Sequence, residues 1–256
     1  MQEECYKHYP ECSQTGCFTY RKDVTRIARR YDSEGAKRRI LSACVRLFIE
    51  QGYRKTTMAE IIRVADVSAS TFQNIFDNKS GVLFTLTEFM FENQFAIARE
   101  IVGEGARPSL FYAVETSLQI ALAEINENVR ENYLQAYTIP AIMRFINEKL
   151  AQVLHTHFAC YRPEDSEEDF YQLEIGTSGI IRSYMSVPCS ETFPLELKIR
   201  RFLEMSLLAY SIPEEERMAA IDFVSRMDVR QSANKALQRL FKALSVKFQF
   251  TFTDEH

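Results

Sequence analysis

The sequence predicts an all-α protein in two parts, a small three-helix N-terminal domain and a larger C-terminal helical bundle. Three observations lead there. The 256 residues include only 8 Gly and 7 Pro, and long stretches hold neither, so the punctuation of a strand-and-turn fold is missing. Apolar residues recur at three- and four-residue spacing from Ile40 almost to the C-terminus, the period of one helix face. Residues 56–79 carry caps and a break that fit two short helices joined by a tight turn. Hydrophobic residues make up 46% and charged residues 26%, which suits a soluble globular chain with a sizeable core. No segment is apolar for the length of a membrane span. The start, MQEECYKHYP, lacks the basic-then-apolar layout of a signal peptide, and a cytoplasmic location is expected.

Residues 1–33 read as an N-terminal extension. Its first half shows no periodicity. From Arg21 to Tyr31, Val24, Ile27, Ala28 and Tyr31 recur at helical spacing among five basic residues. Two readings stand side by side: a short helix packed on its own domain, and a basic arm that lays an arginine into a minor groove. Helix one is expected over about 34–51, with Ile40, Ala43, Cys44, Leu47 and Phe48 inward and Gly52 ending it at C′. Thr57-Met58-Ala59-Glu60 fits a capping box. Ala59, Ile62 and Ala65 fall on one face of the helix that follows. Asp66 tolerates a left-handed turn position. Ser68 then caps a helix from Ala69 to Ile75, with Phe72, Ile75 and Phe76 inward and small polar side chains outward. The unit is a helix-turn-helix whose second helix suits a DNA major groove.

Beyond Lys79 the pattern stays helical. Helices are expected near 79–103, 108–126, 129–138, 140–159, 167–186, 194–211, 214–227 and 230–248, separated by Gly103, Gly105, Pro108, Pro140, the polar run 162–169, Pro188 and Pro194. No internal repeat appears. The domains are therefore drawn as 1–33 extension, 34–80 helix-turn-helix domain and 81–256 helical bundle.

Net charge is −4, and its distribution says more than its total. Residues 20–80 hold 13 Lys+Arg against 7 Asp+Glu, residues 1–19 sum to −2 and residues 81–256 to −8. A basic front on an acidic body is the electrostatic layout of a protein that docks one end on DNA.

The order Phe48, Gly52-Tyr53, Thr56-Thr57, Ala65, Val67-Ser68, Phe76, Lys79 resembles the DNA-binding domain of the tetracycline-repressor (TetR) family of bacterial transcription regulators. The resemblance covers roughly residues 34–90. Asp66 stands where that family usually has glycine, and Gln73 where it usually has tyrosine. The resemblance implies a homodimeric repressor whose two recognition helices read a pseudo-palindromic operator. It also implies a bundle that dimerises and binds a small-molecule effector, which releases the DNA. Helices 167–186 and 194–211 would pair across the two-fold axis, through Phe170, Leu173, Ile180, Ile181 and Tyr184 on one and Phe202, Met205, Leu208 and Ala209 on the other.

Thr57 and Lys79 each start a helix, where free amides favour phosphate. A lysine there opposes the helix dipole, and a DNA phosphate would relieve that penalty; in the resembling family these positions contact phosphate. Arg54 and Lys55 add phosphate contacts. Ser68, Ser70, Gln73 and Asn74 form the DNA-facing surface, with Gln and Asn suited to adenine edges. For the effector, Phe91, Tyr112, Tyr133, Tyr137, Met143 and Tyr184 are the candidates. They come from a body rich in Phe, Tyr and Met, which line adaptable apolar cavities as readily as they fill cores.

No metal or cofactor is expected. Cys5, His8, Cys12 and Cys17 have ligand chemistry, but no paired C-x-x-C knuckle. On a helix, His155 and His157 point about 200° apart, which leaves His157 and Cys160 as a two-ligand set. There is no G-x-S-x-G, no H-E-x-x-H and no phosphate-cradling glycine loop, so an enzyme is not expected. The alternatives to an effector-controlled repressor are a DNA-binding or protein-interaction module without effector control and, further off, an unrecognised helical enzyme.

Overall fold

The computed structural model describes residues 33–248. The basic stretch 21–30 and the set Cys5, His8, Cys12 and Cys17 lie outside the described residues. Within them all regular structure is helical. Helix α1 spans 33–50, then come α2 (Gly52–Lys55), α3 (Met58–Ala65), α4 (Ala69–Phe76), α5 (Lys79–Val102) and α6 (Pro108–Ala123). They are followed by α7 (Glu127–Ala136), α8 (Pro140–Phe158), α9 (Glu167–Ser186), α10 (Leu195–Ala209), α11 (Glu214–Ser225) and α12 (Val229–Phe248). Among the described residues no helix is long and apolar enough to cross a membrane.

Local signals explain most of the boundaries. Asn126 caps α7 by accepting from the Val129 amide, and Ser166 and Asp169 form a reciprocal capping box on α9. Pro108 and Pro140 occupy the first turns of α6 and α8, where a missing N–H costs nothing. The helix expected over 34–51 ends one residue earlier, and Gly52 opens the short turn α2. Its φ of +84° favours glycine, and a Cβ there would also displace the Glu131 carboxylate, whose Oε2 lies 2.9 Å away.

The bundle is built around α6. Nearly every residue of α6 is buried, including Glu115, Thr116, Ser117 and Gln119, because α5, α7, α8, α9, α10, α11 and α12 all pack on it. A helix buried on all sides must satisfy its polar groups internally. Thr116 Oγ1 returns to Tyr112 O at 2.8 Å, and Gln119 Nε2 donates to Glu115 Oε1 at 2.6 Å. The apolar core is continuous from Ile40 of α1 to Leu244 of α12.

Several expectations change at this level. Phe170, Ile181 and Phe202, assigned to the dimer face, fill the chain's own core. Met205 and Leu208 of that expected face are exposed on α10, and Ile175, not among the expected residues, is exposed on α9, each at least half exposed, with open space above Gly176 and Gly179. His155 and His157 diverge as their spacing predicts, one against Phe170 and the other against Phe111. Among the described residues no cluster of three metal-ligating side chains occurs, and Cys44, Cys160 and Cys189 are free thiols.

Candidate nucleic-acid interface and effector cavity

The head is held together by α1, α3 and α4 around Ile61, Ala65, Phe72 and Phe76. Ile61 and Ala65, one turn apart, form the buried edge of α3, whereas Ala59 is exposed. The face expected from Ala59, Ile62 and Ala65 is therefore rotated by about one residue. Thr57 caps α3 by accepting from Glu60 N at 3.2 Å. The return half of the capping box does not form, because Glu60 Oε2 accepts from Gln51 Nε2 at 2.7 Å. Asp66 adopts φ 49°, ψ 57°, and Val67 N–H closes on Ile62 O at 3.2 Å, an αL helix end formed without glycine. Arg39 Nε donates to Ala65 O at 3.0 Å and closes the same end.

Ser68 Oγ accepts from Thr71 N at 3.0 Å and lies within 2.9 Å of the Ser70 and Thr71 hydroxyls. It starts α4 and is occupied in doing so. Phe72 and Phe76 point inward, with ring centroids 6.1 Å apart. Ser70, Gln73 and Asn74 are exposed on the opposite side, and the Gln73 and Asn74 amides have no protein partner among the described residues. Arg54, Lys55 and Thr57 are exposed at the flank. Gly81 fixes how α5 leaves the head: a Cβ there would sit 2.3 Å from Phe76 O, inside any permitted contact.

Lys79 relieves its unfavourable position at the start of α5 from within the chain. Its Nζ donates to Tyr53 O at 2.5 Å and Thr56 O at 2.7 Å, and lies 4.0 Å from the Tyr53 ring centre. Burial, only partly offset by Glu131 and Cys44, draws the ammonium below lysine's ordinary value. Two of its three hydrogens hold the α2 turn.

Sequence reasoning missed the joint between head and bundle. Asn128 Nδ2 donates to Ile49 O and Glu50 O, both at 2.9 Å, and Asn132 Nδ2 to Phe48 O at 3.0 Å. These side chains of α7 satisfy the orphan carbonyls at the end of α1. Glu131 accepts from Arg54 N at 2.5 Å. Only the spacing of Asn128, Glu131 and Asn132 along one face of α7 hints at a shared task.

Behind the joint lies an apolar cavity of about 110 Å³. Its walls come from α1 (Val45, Phe48, Ile49), α5, α6, α7, Ile146 of α8, and α12 (Leu237, Phe241, Leu244). Of the residues proposed from sequence for an effector, Phe91, Tyr133 and Tyr137 line it; Tyr112, Met143 and Tyr184 do not. Tyr112 packs among Phe158, Phe202 and Tyr210. Met143 is exposed, and the Tyr184 hydroxyl donates to Met205 Sδ at 3.5 Å.

Residues 40–86 match the family model described as "Bacterial regulatory proteins, tetR family". The chain is 36% identical over 67 residues to an uncharacterized HTH-type transcriptional regulator, YvkB, of Bacillus subtilis (strain 168), covering 26% of this chain and 35% of that protein. It is 38% identical over 71 residues to the HTH-type transcriptional regulator HbdR of Aromatoleum sp. (strain CIB), covering 27% and 31%. The chain thus aligns with about a third of the length of these relatives. No solved structure matches it.

Proposed function

We propose, for a chain whose residues 40–86 are a tetR-family helix-turn-helix domain, that the whole protein is a DNA-binding transcription regulator. In this reading it is a homodimeric repressor that leaves a pseudo-palindromic operator when a small, largely apolar molecule fills the bundle. The observation that carries the reading is the packed α3–turn–α4 unit with Ser70, Gln73 and Asn74 exposed on its outer face. Arg54 and Lys55 flank that face, where they would meet phosphates. The acidic bundle keeps the rest of the chain off the duplex.

Selecting bound duplexes from a random pool tests this directly. A palindrome should emerge, and its affinity should fall steeply with salt. Lys55→Ala should weaken binding to all sequences alike and lower the salt slope by about 1. Gln73→Ala should relax preference at one base position per half-site, by roughly 1–3 kcal/mol. Binding without sequence preference, or a Gln73→Ala variant with unchanged preference, would contradict the assignment of α4 as the reading helix.

The dimer reading is supported by the exposed Ile175, Met205 and Leu208 and by the open space above Gly176 and Gly179. Glycines inside a helix lower its stability by about 1 kcal/mol each, a cost that close approach of a second helix would offset. A symmetric interface presents each residue twice. Light scattering should give twice the chain mass, and Leu208→Arg should halve it without unfolding the chain. A wild-type monomer at micromolar concentration that binds the palindrome with full affinity would overturn the dimer.

A further inference from the structure

We infer that the cavity between head and bundle takes a small neutral aromatic molecule carrying one hydrogen-bond donor, and that Asn132 reads this donor and passes occupancy to the head. The second half rests on the regulator reading above; the first concerns the cavity alone. Three observations carry it. No charged side chain lines the cavity, so a charged ligand would be buried without a counter-ion. The volume of about 110 Å³ is somewhat below the roughly 150 Å³ of an apolar cavity that holds benzene, so a ring enters as the wall yields. And one polar atom of the lining is unsatisfied: Asn132 Oδ1 is buried without a hydrogen-bond partner.

The other polar side chains of the lining each hold at least one protein partner. Gln94 Nε2 donates to the Tyr133 hydroxyl at 2.7 Å, the Tyr137 hydroxyl to Gln119 Oε1 at 3.0 Å and Thr87 Oγ1 to Leu83 O at 2.9 Å. Asn132 Oδ1 is the lining acceptor that is fully buried and unpartnered, so a ligand donor gains most there. The same amide holds Phe48 O through Nδ2, and Phe48 is itself part of the wall. A ring larger than the void displaces the α1 wall while its donor fixes Asn132. Ligand and head position then share one residue and one boundary, so occupancy shifts the population of head orientations.

Phenol and benzene, which differ by one hydroxyl, serve as probes, with benzoate as the charged control. Calorimetry on the full chain should show phenol binding about tenfold tighter than benzene, the worth of one hydrogen bond to a buried acceptor, and no benzoate binding. Asn132→Leu should bring phenol down to the benzene level. Ala136→Leu, which fills the void from α7, should abolish both while leaving Asn132 in place; thermal unfolding verifies that each variant is folded. Equal affinity of the wild type for phenol and benzene, phenol preference surviving Asn132→Leu, or unchanged binding in Ala136→Leu overturns the inference. If Asn132→Leu does not fold, the wild-type ratio and Ala136→Leu decide. Operator binding is read separately. Phenol should lower it in the wild type, and an unchanged operator affinity with phenol bound overturns the coupling. A chain that binds the operator but neither probe overturns this inference alone, and one that binds phenol in the cavity but no DNA overturns the regulator reading alone.

Discussion

Glu124→Ala should cost about 3–5 kcal/mol of folding stability, the usual loss when one partner of a buried ion pair is removed. Lys198 is fully buried on α10, and its Nζ donates to Glu124 Oε1 at 2.6 Å and to Val187 O. Arg130 Nη2 and the Cys189 amide meet the other carboxylate oxygen at 2.9 and 3.1 Å. One side chain at the end of α6 thus ties α7, the loop after α9 and α10 together. Burial opposes its ionisation, but the Lys198 hydrogen bond, the Cys189 amide and the two nearby cations outweigh burial and hold the carboxyl below its ordinary value. Without it, the Lys198 ammonium stays buried with only a carbonyl. Urea unfolding at one fixed protein concentration measures the loss. Replacing both partners, Glu124→Leu with Lys198→Met, should recover most of it, since an apolar pair leaves no stranded charge. A loss under about 1 kcal/mol for Glu124→Ala would show that the interior tolerates the free ammonium, contrary to the burial argument.

The second large effect is a decline of stability from mildly acidic to neutral pH. Glu115 on α6 and Glu174 on α9 are buried, and burial pushes each carboxyl up to about 7 from 4.5. Bonds from Gln119 to the first, and from Tyr210, Thr177 and Ser178 to the second, offset this only in part. Between pH 4.5 and 7 the folded chain holds protons that the unfolded chain has lost. Unfolding then releases protons, and stability falls as pH rises, by up to about 1.4 kcal/mol per pH unit for each group. Below 4.5 both states are protonated and the slope from these two vanishes. Glu124 acts in the opposite sense: its contribution is present above the unfolded value and is lost as pH falls through its lower folded value. Stability should therefore peak on the acid side of neutrality. Glu115→Gln and Glu174→Gln should each remove part of the slope and raise stability at pH 7.5. Denaturation midpoints in a pH series check this; a flat profile from pH 5 to 7 in the wild type would mean that both carboxyls are ionised in the fold.

Much of the head was legible because its signals are local. Thr57 and Ser68 cap helices by bonding amides three residues on, a reach that spacing alone reveals. Gly52 and Asp66 mark backbone that turns left-handed. Phe72 and Phe76 lie one turn apart and had to face one way. The lining of the cavity was legible only in part. Composition singled out Phe91, Tyr112, Tyr133 and Tyr137 within an aromatic-rich body, and all four are buried. Composition could not separate the wall of a cavity from solid core, because both are built from the same side chains.

The sequence by itself determined the all-helical course, the order and approximate ends of the helices, and the inward and outward faces of α4. Each depends on residues within about one turn of one another, where helix geometry fixes the contacts. Only the tertiary structure decided what Lys79 binds, since its carbonyl partners lie 26 and 23 residues away. It alone joined Asn132 to Phe48, 84 residues apart, and Lys198 to Glu124, 74 apart. It also turned Phe170, Ile181 and Phe202 into the chain's own core rather than a dimer face. Such pairings arise when amphipathic helices choose partners, a choice set by shape and by the burial of whole faces, and no local period records it.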